Sequence, residues 1–94
     1  MATTAALDVL RRMFDEGFAT GNDAIVDELC SPDLVEHQFG LTGSGPAALA
    51  SVKAAIRDVH RAMPGLRFDI EDSAESGDRV WVRVHGRGRA TGPF

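Results

Sequence analysis

His37, one of three histidines in the chain, is of a type that can move protons, and it stands in the segment "DLVEHQF". An imidazole titrates near working pH, so it can both accept and return a proton during a reaction. The competing reading is a histidine at the end of a strand, bonded to local backbone. Glu36 and Asp33 stand close by, but successive side chains of an extended strand leave on opposite faces, so Glu36 and His37 cannot form an adjacent acid–base pair. Glu36 therefore reads as a solvated carboxylate. Asp33, which follows Ser31-Pro32, reads as turn chemistry. A second group lies in "VWVRVHGRGR", where Trp81, Arg83 and His85 alternate with Val80, Val82 and Val84. Arg83 has two uses open to it: binding a ligand carboxylate or carbonyl oxygen, or pairing with Glu71 or Asp69 across strands. The ion pair is the commoner use of such an arginine. His60 and Cys30 read as packing residues. "GSGP" and "GRGRATG" lack the spacing of a phosphate-binding loop.

These residues belong to a chain of 94 residues, 44% hydrophobic and 26% charged, with a net charge of −4. That length fits a single domain over residues 1–94, which buries roughly 60–65% of its unfolded surface and has a thin stability margin. No apolar run is long enough to span a membrane. "MATTAALDVLRRMFDEGF" mixes charges into its apolar residues, as an amphipathic helix does and a signal peptide does not. One cysteine allows no internal disulfide, and no repeated Cys/His spacing suggests a metal. A cytoplasmic protein with no cofactor and no metal is the expectation. The bases concentrate towards the end of the chain, but Trp81 is the only aromatic among them, so nucleic-acid binding is not expected.

The elements that must position these residues follow from periodicity. Val9, Leu10, Met13, Phe14 and Phe18 recur at helical spacing and predict a helix over about residues 4–19. Gly21 stops it and Asn22 opens a short second helix over 23–30, which ends before Pro32. "LVEHQF" reads as a short extended piece and "GLTGSG" as a loop. Pro46 starts a third helix, whose apolar face is Leu49, Val52, Ile56, Val59 and Met63. Two strands then follow, "LRFDIEDSAES" and "GDRVWVRVHGRGRA", with "SGD" at 76–78 as the hairpin turn. Helices first and antiparallel strands after predict an α+β domain in the order α-α-β-α-β-β. Two strands alone leave a long open edge, so further strands or a partner chain are expected to cover it.

Three segments carry a family resemblance: "FATGNDAIVDELCSPDLVEH", "GPAALASVKAAIRDVHRAMPGLRFDIED" and "SGDRVWVRVHGRGRATGPF". In this order and spacing they resemble the SnoaL-like polyketide cyclase and ester cyclase group of the nuclear transport factor 2-like superfamily. The resemblance implies an α+β cone in which a curved sheet wraps the helices around a pocket. It also implies that the chain corresponds to the N-terminal two-thirds of such a domain, the last strands of the sheet not being present. His37 falls where the family commonly places a ligand-contacting residue, which implies a catalytic or substrate-orienting role. The implied ligand is a small apolar carbonyl compound, in a pocket walled by Phe14, Phe18, Ile56, Val59 and Met63. Arg83 matches a frequent family arginine, a ligand contact or an ion-pair partner. The implied reaction is cyclisation or isomerisation by acid–base chemistry.

The carboxylate usual in related cyclases lies on a later strand and has no match here, so little catalysis is expected of these residues alone. The chain also lacks tyrosine, which argues against a ketosteroid-isomerase type site with its phenol donor. Dimerisation through the sheet is implied as well, with Trp81 and its arginines as anchors. A non-catalytic ligand-binding or dimerisation module of the same fold is the alternative.

Overall fold

A computed structural model describes residues 5–38 and 41–92. Thr4, Phe39 and Phe94, which the sequence reading placed in the first helix, the extended piece and the closing segment, lie outside the described residues. Helix α1 runs over Ala5–Arg12 and continues without a break as a wider π-helical turn over Met13–Phe18. Helix α2 is the short Ile25–Leu29, and α3 is the long Pro46–Ala62, with Pro46 in its first turn as expected. Strands β1 (Val35–Gln38) and β2 (Leu41–Ser44) form one antiparallel pair. Strands β3 (Arg67–Ser76) and β4 (Arg79–Arg87) form the other.

One expectation is corrected. "LTGS" is not loop but strand β2, pairing Val35 with Ser44 and His37 with Thr42. The backbone N–H of Gly45 extends the pairing by donating to the Leu34 carbonyl at 2.8 Å. Glycines at 40, 43 and 45 give this stretch a weak strand propensity, and the partner strand overrides it.

The core lies where the helices meet. Ile25 and Val26 of α2 pack against Val52 and Ile56 of α3, and Met13, Phe18, Leu29, Cys30, Leu34 and Leu49 close around them. Gly17 makes this approach possible: a Cβ there would sit 3.0 Å from Ile25 Cγ2. Gly21 ends the first helix with φ 78, a left-handed conformation that glycine adopts without steric cost, and lies against the His60 ring. His60 thus packs, as expected of it.

The β3–β4 hairpin turns at Gly77, whose φ of 59 puts glycine at the first central position of a two-residue loop. The pairing runs Ile70 to Val84 and then Asp72 to Arg83, leaving Glu71 as an extra residue. Such a bulge bends and twists the ribbon. Phe68 and Ile70, paired with Gly86 and Val84, form the half-buried inner face; Trp81, Arg83 and His85 lie outside. The inner face holds the helices through aromatic contacts. Phe14 stacks on Phe68 at 4.8 Å between ring centroids, and Phe18 meets Phe68 edge-on at 5.9 Å.

Candidate functional site

The arrangement leaves an apolar hollow of about 320 Å³ between the first helix, α3, β1 and β3. Leu10, Met13, Phe14 and Phe18 form its helical wall, Val52 and Phe68 form the far side, and Glu36 enters from β1. Its volume falls at the small end of ligand cavities, and the combination of apolar walls with one polar group is usual for them. A larger hollow of about 470 Å³ lies beside it, bordered by Asp15, Thr20, Pro64, Arg67, Phe68 and Asp69 among others. That hollow mixes apolar residues, Ala19, Pro64, Leu66 and Phe68, with the charged Asp15, Arg67 and Asp69, and is less uniformly apolar than the first.

The residues expected in the site divide. Phe14 and Phe18 line the hollow. Ile56 does not: it is 0% exposed and belongs to the core beneath. Val59 and Met63 are half-buried on the last turn of α3 and just beyond it, and are not among the residues that line the hollow. His37 is exposed. Glu36 is half-buried and lines the hollow, so it is not the solvated carboxylate that its sequence context suggested. The cause is strand geometry. Leu34 packs on the core, and residues two apart share a face, so Glu36 follows Leu34 inward while Val35 (55% exposed) and His37 face outward.

Glu36 is held in place locally, its Oε1 accepting the His37 backbone N–H at 3.1 Å. Its charge is felt by a neighbour. Burial pushes the Cys30 thiol above its ordinary range, and the charges of Glu36 and Asp27 push it further. Cys30 is therefore a protonated packing residue at neutral pH. Behind the apolar wall, Arg12 donates to Glu16 at 2.6 Å and to Glu28 at 2.9 Å, tying the first helix to α2. Both carboxylates hold the Arg12 guanidinium firmly charged, and its hydrogen bond holds Glu16 below the usual carboxylate range.

Arg83 lies on the opposite side of the sheet, 3.8 Å from Glu71 and largely exposed. Asp69, the other expected partner, pairs instead with Arg87 at 2.6 Å. Arg83 is thus separated from the hollow by the sheet itself, and its exposed pair contributes little to stability. Among the described residues no group of three or more His, Cys, Asp or Glu is placed to hold a metal ion. No helix among them is long and apolar enough to cross a membrane.

Helices packed on the inner face of a bent antiparallel hairpin, with an apolar hollow between them, make an α+β fold. The family is the SnoaL-like domain: its model matches residues 10–93, and the chain belongs to it. Two solved structures share the fold. TsrD from Streptomyces laurentii superimposes with a TM-score of 0.71 at 20% identity, all of this chain covering 67% of that one. A protein from Jannaschia sp. CCS1, designated a SnoaL-like polyketide cyclase, gives a TM-score of 0.72 at 21% identity, all of this chain covering 68% of that one. No curated protein sequence matches the chain.

Proposed function

We propose that this is a small-molecule domain that holds an apolar carbonyl compound in the hollow between the first helix, α3, β1 and β3, and serves acid–base chemistry of the cyclase or isomerase type. Membership of the SnoaL-like family supports a cyclase- or isomerase-type function in general terms. The observation that carries the reading to this site is the presence of Glu36 in a wall otherwise made of Leu10, Met13, Phe14, Phe18, Val52 and Phe68. The rings and aliphatic side chains take the apolar body of the ligand and exclude water from it. Glu36 then stands as the proton acceptor: a carboxylate oxygen takes the proton from the carbon beside the carbonyl, and the electron pair of that C–H bond passes to the carbonyl oxygen as an enolate. Returning the proton to a different atom completes an isomerisation; attack of the enolate carbon on a second carbonyl closes a ring.

The test is to fill the hollow. Leu10→Trp puts an indole in the place of the ligand, and is expected to weaken binding of a fluorescent polycyclic ketone at least about tenfold, with the circular dichroism unchanged. Undiminished binding by a folded Leu10→Trp protein would refute the site. His37→Ala, acting on the outward face, is expected to leave that binding unchanged.

A second reading, assembly of two copies through the outer face of β3–β4, is favoured by Trp81, which is 56% exposed there beside Arg83. Large exposed aromatics flanked by arginines are typical anchors of such contacts.

A further inference from the structure

Phe68 of β3 borders three hollows at once: the ligand hollow, the larger one beside Pro64, and a third of about 290 Å³ lined also by Arg11, Phe14, Asp15, Asp69 and Ile70. Phe14 borders the first and the third, and Phe18 borders the first alone among these three. The Phe14–Phe68 stack is therefore a shared wall. Glu36 and the apolar side chains of the ligand hollow stand on one side of it, and the charged rim of Arg11, Asp15 and Asp69 on the other.

The Phe68 ring is held from several sides. Phe14 stacks on it with centroids 4.8 Å apart, and Phe18 meets it edge-on at 5.9 Å. Across the hairpin Phe68 pairs with Gly86, where a Cβ would come within 3.3 Å of the ring. A glycine there leaves room for the ring against β4. Swinging the ring aside would break both aromatic contacts, which stabilise beyond the area they bury.

Where this wall stands fixes how much space a ligand can use. The ligand hollow alone, about 320 Å³, lies at the low end of the roughly 300–1,000 Å³ usual for ligand cavities. Joined to the hollow of about 470 Å³ on the far side of Phe68, it would lie well inside that range.

Resting on the reading of this hollow as the ligand site, we propose that Phe68 is the residue that sets the size of the compound it takes. The ring admits a compact bicyclic ketone and excludes one that extends past the Phe14–Phe68 stack. Phe68 touches the apolar body of the ligand and takes no part in moving the proton.

The experiment uses two ketones with one head and different lengths: acetylnaphthalene, and its homologue extended in line by a phenyl ring. Their affinities are measured by fluorescence titration for the wild type, Phe68→Ala, Phe68→Leu and Phe18→Leu, with folding checked by circular dichroism. The wild type is expected to prefer the shorter ketone by at least about tenfold, as a well-fitted apolar pocket does. Phe68→Ala is expected to abolish or reverse that preference. Phe68→Leu, which keeps an apolar side chain on β3 for folding but removes the ring, is expected to narrow it. Phe18→Leu, in the wall of the ligand hollow alone, is expected to weaken both ketones alike and keep the preference, which is also what a merely structural role for Phe68 would give. A wild type that binds the longer ketone as tightly as the shorter, or a folded Phe68→Leu protein that keeps the wild-type preference, overturns the proposal and leaves the hollow as the ligand site. If neither ketone binds the wild type, the proposal and the site fall together.

Discussion

At the scale of the residue, the account turns on which of two neighbours faces inward. The sequence shows that Glu36 and His37 occupy opposite faces of a strand, but both faces offer an apolar neighbour, Leu34 on one and Val35 on the other. Alternation alone therefore leaves the choice open, and packing makes it. Leu34 reaches the core, so Glu36 is carried to the hollow and His37 to solvent. The even-numbered alignment of Leu34 with Glu36 was the available signal, masked by the valine between them. Cys30 reports on the same charge. Burial and then Glu36 raise its pKa, so the folded chain holds the thiol proton at a pH where the unfolded chain releases it. This contribution to stability is complete below the ordinary thiol pKa and is lost as pH rises through the raised one. Alkylation of native Cys30 by iodoacetamide at mildly alkaline pH is expected to be slower than that of the unfolded chain. Glu36→Gln is expected to speed it, because removing the carboxylate charge favours the thiolate. An unchanged rate in that variant would mean that Glu36 exerts no field at Cys30.

At the scale of the element, helix α3 and the β3–β4 hairpin were legible because each carries a long, single-period pattern. The stripe through Val52 and Ile56 and the alternating Val80, Val82 and Val84 each point one way. Two features were not legible. The first helix widens to a π-helical turn at Met13–Phe18, which leaves no mark in a pattern read at helical spacing. Strand β2 is rich in glycine and takes its structure from pairing with β1. The stripe on α3 does not by itself distinguish core from cavity, since both lie on an inward face. Ile56 is the instructive case: it was expected as a pocket wall and is fully buried in the core. Ile56→Ala is accordingly expected to destabilise the fold by about 2–5 kcal/mol in urea unfolding, from lost burial and the space left behind. Affinity for an apolar ligand, measured where the variant remains folded, is expected to stay within about twofold, because the side chain does not reach the hollow. A small stability loss with a large loss of affinity would return Ile56 to the pocket.

At the scale of the whole molecule, the α+β class and the order of most elements could be read from the sequence, whereas the hollow could not. Its walls come from four elements far apart in the chain, joined by the Phe14–Phe68 and Phe18–Phe68 contacts. The molecule is open for its size. Its accessible surface is 6342 Å², against about 5,300 Å² expected for a compact chain of this mass. Part of the excess lies on the β3–β4 hairpin, where residues 71–79 are exposed on both faces and Trp81 lies outward. The fold therefore presents two surfaces with apolar character, the inner hollow and the outer sheet face, and the functional reading depends on which of them receives the ligand. The most direct measurement is a titration of the isotope-labelled chain with acetylnaphthalene, an apolar aromatic ketone, followed by amide and side-chain NMR shifts. The account predicts shifts that saturate with ligand and cluster at Leu10, Met13, Phe14, Phe18, Glu36, Val52 and Phe68, with Trp81 and Arg83 unmoved. Saturating shifts centred on Trp81 and Arg83, with the residues of the hollow silent, would contradict it.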